Sequence, residues 1–148
     1  MYQNFDAILA AARELPVKRT ACIAGAADGK ILHVAAELVK EDLCRVLLVG
    51  DREEIERLAP EQGLDISAVT VLHEPDAAQV HGGAADIFVK GKMNTSDFLR
   101  AVLDKEVGLR TGDKLSVLTC YDVPGQKKLF FLTDGGMIVA PTLEDKAV

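Results

Sequence analysis

Asp86-Ile87-Phe88-Val89-Lys90-Gly91-Lys92-Met93-Asn94-Thr95 is the stretch on which the reading of this chain turns. Ile87 to Val89 is a short apolar run with the composition of a buried strand. It leads directly into Lys90-Gly91. An amphipathic helix is predicted to open near Asn94-Thr95, with Phe98, Leu99, Val102 and Leu103 on its apolar face. A lysine, a glycine and a helix N-terminus therefore meet at the carboxyl end of a strand. Open α/β sheets hold phosphate-bearing ligands at such places.

The segments on either side fit the same scheme. Asn4 predicts the cap of a first helix, with Phe5, Ile8, Leu9 and Ala12 on one face and Pro16 ending it. Arg19 to Gly25 reads as a buried strand, followed by a tight turn at Ala26-Ala27-Asp28-Gly29. Ile31, Leu32, Ala35, Leu38 and Val39 then recur at helical spacing. Arg45 to Val49 is a second strand, closed by Gly50. Asp51 with Glu54 resembles a capping box for a helix carrying Ile55, Leu58 and Ala59. Val69 to Leu72 is a third strand, Pro75 to Gly82 a short helix, and Ile87 to Val89 the fourth strand, with a helix from about Thr95 to Lys105 behind it. This β-α alternation predicts a mostly parallel sheet with right-handed crossovers.

The rhythm changes after that. Leu115 to Tyr121 and Lys128 to Thr133 are strand-like and flank a turn signal at Asp122-Val123-Pro124-Gly125, which predicts an antiparallel hairpin. Asp134-Gly135-Gly136-Met137 is another tight turn. Pro141-Thr142-Leu143-Glu144-Asp145 has the pattern of a helix start. No stop signal precedes Val148, so the expectation is a single α/β domain over residues 1–148 that forms the N-terminal portion of a longer protein.

The 148 residues suffice for one core, and 49% hydrophobic with 27% charged residues is an ordinary globular composition. Aromatics are only 5% and Trp is absent, so aliphatic side chains must do the packing. A net charge of −6 argues against general nucleic-acid binding and requires any anion site to be locally positive. Cys22, Cys44 and Cys120 lack metal-ligand spacing. Cys22 and Cys120 fall in apolar runs and read as buried structural thiols, consistent with a reducing, cytoplasmic setting. Met1 to Phe5 shows no signal-peptide pattern, and no apolar run approaches a membrane span. His33, His73 and His81 are isolated, so neither a zinc site nor a Ser/His/Asp arrangement is assigned.

At Lys90-Gly91 the glycine permits close backbone approach, Lys90 offers a point charge, Thr95 a hydroxyl, the helix start free N–H groups, and Lys92 a second charge. A plain strand-to-helix loop with a solvated lysine has the same composition and is the commoner case on local chemistry alone. Arg100 reads either as a surface arginine paired with Asp97 or Asp104, which the spacing favours, or as a phosphate clamp. Asp134 could orient a substrate, hold a cation or cap its turn. The turn after the first strand reads Gly25-Ala26-Ala27-Asp28-Gly29, so the dinucleotide fingerprint G-x-G-x-x-G is missing, which counts against a decarboxylating dehydrogenase.

Taken in order, several segments resemble the phosphate acyltransferases, phosphate acetyltransferase and especially phosphate butyryltransferase. They are Ala26-Ala27-Asp28, Val46 to Asp51, Ala85-Asp86 running into Lys90-Gly91, and Thr95 followed by Phe98 to Leu103. Gly108-Leu109-Arg110, Leu115-Ser116, Leu132 to Met137 and Pro141 to Lys146 complete the set. The resemblance implies a three-layer α/β/α fold of the isocitrate-dehydrogenase type. It implies acyl transfer between acyl-CoA and phosphate, with coenzyme A as a substrate, no redox cofactor and no metal, in proteins about twice as long that form homo-oligomers. It also implies that Arg100 meets the phosphate or CoA anion, that Lys90 and Thr95 meet the acyl-phosphate oxygens, and that Gly91 lets them approach. Asp134 becomes a structural or substrate-orienting carboxylate. Val117 stands where such proteins often carry a histidine after the matched Ser116. The family's catalytic base belongs to the half that follows, so a binding module or a subunit completing a cleft with a partner is the alternative expectation.

Overall fold

The computed structural model describes residues 2–73, 85–106, 108–109, 115–135 and 142–143. They fall into two compact units, Ala12–Arg110 and Met1–Ala11 with Thr111–Val148. Helix α1 (Phe5–Arg13) opens the chain, and Asn4 Oδ1 accepts from the Ala7 amide at 2.9 Å, the cap its sequence predicted.

The larger unit is built on four parallel strands: β1 (Thr20–Ala24), β2 (Arg45–Gly50), β3 (Thr70–His73) and β4 (Ile87–Lys90), in the order β3-β2-β1-β4. Central strands β1 and β2 are continuous apolar runs because both of their faces are covered. Side-chain alternation divides them between two clusters. Ile23, Val46, Leu48 and Val71 pack with Leu32, Ala35, Ile55 and Ala59, which come from or border α2 (Gly29–Lys40) and α3 (Arg52–Leu58). On the other face Cys22, Leu47 and Val49 pack with Ala85 and Phe88. The Phe88 ring stacks on Phe98 of α4 (Thr95–Val102) with centroids 5.4 Å apart. Helices α2 and α3 cover one face and α4 flanks the other through Phe98; Ile87 and Val89 stay exposed, against the expectation of a buried strand, because β4 is the edge of the four-stranded sheet.

Local chemistry explains the element ends. Asp28 caps α2 and Asp51 caps α3, each through one carboxylate oxygen. The expected capping box at Asp51 is half made: Asp51 accepts from the Glu53 and Glu54 amides, but the Glu54 carboxylate turns to Arg57. Helix α4 stops at Val102, short of Lys105, where Leu103 leaves helical geometry. At the opposite end of the sheet, Asp86 ties β4 to β1. It accepts from the Thr20 amide and from Arg19, each at 2.8 Å, and these bonds, the Thr20 amide first, hold its pKa below the usual carboxylate value.

The smaller unit holds the expected hairpin, β5 (Leu118–Tyr121) antiparallel to β6 (Phe130–Thr133), with Tyr121 opposite Phe130. Both strands are shorter than their apolar runs. Asp122 accepts from the Phe5 amide at 2.9 Å, and Gly125 adopts φ +82° in the connecting turn. Cys120 is only half-buried, against the expectation of a buried thiol, because a two-stranded ribbon cannot enclose both of its faces. Cys22 is buried as expected, and burial pushes its thiol pKa up. The predicted helix over Pro75 to Gly82, His81, and the helix start at Pro141 apart from Thr142 and Leu143 lie outside the described residues. Among the described residues no helix is long and apolar enough to cross a membrane.

Leu48 is fully buried between β2 and α3, whereas Leu118 is 66% exposed. Leu48→Ala should therefore lower unfolding free energy by about 2–5 kcal/mol in urea titration, and Leu118→Ala by less than about 0.5 kcal/mol.

Candidate functional site

The strand order β3-β2-β1-β4 places the decisive geometry between β1 and β4. The chain steps outward from β1 to β2 to β3, then returns to the far side of β1 as β4. From these neighbouring strands α2 leaves over one face and α4 over the other, so the β1–α2 and β4–α4 loops part at the carboxyl edge. This is the topological switch point of an open α/β sheet.

The two loops are joined by backbone. The Gly91 amide donates to Ala24 O at 2.7 Å, the Lys92 amide to Gly25 O at 3.0 Å, and the Met93 amide to Gly91 O at 3.1 Å. The contact is so close that only glycine fits. A Cβ on Gly91 would stand 2.5 Å from Ala24 O and 2.6 Å from Gly25 O. Gly25 sits at φ +70°, and a Cβ there would meet Lys92 O at 3.0 Å. On the other flank the Ala26 amide donates to Val49 O at 3.0 Å, tying the same loop to β2.

Around this hook, Lys90, Gly91 and Thr95 occupy one continuous elbow from the end of β4 to the first residue of α4. Lys90 is exposed, and its Nζ lies 3.4 Å from Gly91 O. Asn94 occupies the cap position of α4 but makes no side-chain cap bond; its Nδ2 donates to Asp97 instead. The cap position of α4 therefore lacks the carboxylate that Asp28 and Asp51 give to α2 and α3, although Asp97 stands in its first turn. Arg100 is 77% exposed and pairs with Asp97 at 3.0 Å, the partner its spacing offers. Asp134 belongs to the other unit. It adopts φ +56°, its Oδ1 accepts from the Val117 amide at 3.0 Å, and its own amide donates to Val117 O at 2.8 Å. Those bonds prolong the β5–β6 pairing by one residue on each strand.

One pair escaped the sequence reading. Lys92 Nζ lies 2.9 Å from Asp28 Oδ2, while Asp28 Oδ1 accepts from the Lys30 and Ile31 amides at the start of α2. The hydrogen bond from Lys92 is the main reason the Asp28 carboxyl is held below its usual pKa. Both residues were visible in the sequence. Their pairing was not, because it depends on β1 and β4 being neighbours. Among the described residues no three His, Cys, Asp or Glu side chains gather in a way that could hold a metal ion.

Fold and elbow together define an open α/β protein with a lysine-bearing loop at its switch point. Residues 74–148 match the family model described as "Phosphate acetyl/butaryl transferase". The chain is 36% identical to phosphate butyryltransferase of Clostridium beijerinckii and 33% identical to that of Clostridium acetobutylicum, in each case over 99% of this chain and 51% of the relative. It is 28% identical to phosphate acetyltransferase of Thermotoga maritima, over 84% of this chain and 45% of the relative. The chain belongs to the phosphate acetyl/butyryl transferase family, and it spans about half the length of the curated relatives it matches.

Gly91→Ala should force β1 and β4 apart at the hook and lower stability by about 1–3 kcal/mol in thermal or urea unfolding. Gly63→Ala, with open space around the added Cβ but φ +70°, should cost about 1 kcal/mol. Asp28 has a depressed folded pKa, so its contribution is present above the ordinary carboxylate value and lost as pH falls through the lower folded one. Asp28→Asn keeps a good cap, and its stability should fall less steeply below about pH 4 than that of the unaltered chain.

Proposed function

We propose that the protein to which this chain belongs transfers short acyl groups, such as butyryl or acetyl, between coenzyme A and inorganic phosphate. A phosphate oxygen attacks the thioester carbonyl, the C–S bond breaks, and acyl phosphate and coenzyme A leave. In reverse, the thiol of coenzyme A attacks acyl phosphate and phosphate departs. The observation that carries this reading is the elbow itself, a lysine and a glycine hooked onto the neighbouring strand at the sheet's switch point. The names of the relatives support the substrate pair.

In this reading Lys90 and Thr95 bind the phosphate or acyl-phosphate oxygens, and Gly91 lets the backbone approach them. Arg100 takes an anionic group of phosphate or coenzyme A by exchanging Asp97 for it. Asp134 acts through its turn. Coenzyme A is a substrate here, and neither a redox cofactor nor a metal is required. A homo-oligomer in the cytoplasm completes the proposal.

A thiol with pKa near 8.5 needs a base or a positive environment at neutral pH. The carboxylates beside the elbow have other commitments, Asp28 to its cap and to Lys92, Asp97 to Arg100 and Asn94. This favours a second reading of the chain alone: it binds phosphate or coenzyme A, and the base comes from elsewhere in the complete protein.

The test is thiol release from butyryl-CoA and acetyl-CoA by the full-length protein. Release should depend on phosphate, and Lys90→Met should reduce kcat/KM at least about tenfold, equivalent to about 1.4 kcal/mol. Phosphate-independent release, or none with any short acyl-CoA, would overturn the proposal.

A further inference from the structure

We infer that Lys92, anchored across the switch point by Asp28, is a ligand-contacting cation of this site. The inference rests on the anion-binding reading of the elbow and assigns it a residue that the family resemblance did not supply.

Three cations accompany the elbow, and they are held differently. Arg100 is tied to Asp97 on its own helix. The Lys90 ammonium has a distant contact to the carbonyl of the adjoining residue. Among the described residues, Lys92 alone of the three reaches a different element, passing from the β4–α4 loop to the β1–α2 loop. Its backbone is fixed as well: its amide donates to Gly25 O, and its carbonyl lies where a Cβ on Gly25 would stand 3.0 Å away. Both ends of the side chain are therefore placed at the point where the loops diverge.

Yet the group is not consumed by its partner. The Lys92 side chain is 75% exposed, whereas that of Asp28 is 19% exposed. An ammonium has three donors and no acceptor; Asp28 Oδ2 takes one, which leaves two for solvent or an oxyanion. Asp28 can serve as anchor because its other oxygen is fixed at the head of α2. The result is a restrained cation, with less side-chain freedom to lose on binding than a free lysine.

Binding of inorganic phosphate to the full chain, measured by calorimetry, separates a ligand contact from a structural brace. Lys92→Met should weaken binding about tenfold or more, and Lys92→Arg should retain most of it. Asp28→Asn keeps the helix cap but loosens the anchor, so binding should weaken about two- to fourfold, clearly less than in Lys92→Met. Equal loss in Lys92→Met and Asp28→Asn would make the pair a brace and overturn the inference. So would unchanged binding in Lys92→Met; if Lys90→Met meanwhile lost binding, the elbow reading would stand without it. Absence of phosphate binding in the unaltered, folded chain would remove the elbow reading and this inference together.

Discussion

Two backbone hydrogen bonds, Gly91 N–H to Ala24 O and Lys92 N–H to Gly25 O, carry the β1–β4 pairing past the ends of the strands. Everything proposed for the site depends on them. They hold the two diverging loops in contact and set Lys90, Lys92 and Thr95 at one edge. They also explain the glycines: a side chain at Gly91 would occupy the space of the acceptors. The constraint is steric first and electrostatic second, since no charge placed on these loops could meet a ligand reproducibly if the loops were free to separate.

The sheet beneath is stiff where it needs to be. Ile23, Leu48 and Val49 are buried to within 1% exposure, with α2 and α3 over one face and Phe98 stacked on Phe88 over the other. Surface ion pairs such as Arg57–Glu54 and Lys40–Glu37 are exposed on their own helices and add little. Asp28–Lys92 differs in kind, because it joins two elements and shares its carboxylate with a helix cap. In the smaller unit the hairpin leaves Leu118 and Phe131 more than half exposed, so its backbone bonds define it more than its packing does.

Much of this was legible in the sequence. The apolar runs within Arg19–Gly25 and Arg45–Val49 announced buried parallel strands, Ala26 to Gly29 a tight turn, Asp51 a helix start, and Lys90-Gly91 before Thr95 the elbow. Three features were not legible, each for a physical reason. The Glu54 side chain had two partners within reach, the Asp51 amide and Arg57, and local spacing does not choose between them. Cys120 sits in an apolar run that reads as core, but a strand is only as buried as the layers around it. The Asp28–Lys92 pair depends on strand order, a global property, whereas Arg100–Asp97 was foreseeable because three residues along a helix is a local one.

The central claim is that this elbow grips an anion, and amide NMR of the labelled chain during a phosphate titration tests it most directly. Saturable shifts should concentrate at Gly25, Gly91, Lys92 and the first turn of α4 from Thr95, with β2 and β3 unmoved. Saturable shifts centred elsewhere, with Gly91 to Thr95 unchanged, would contradict it.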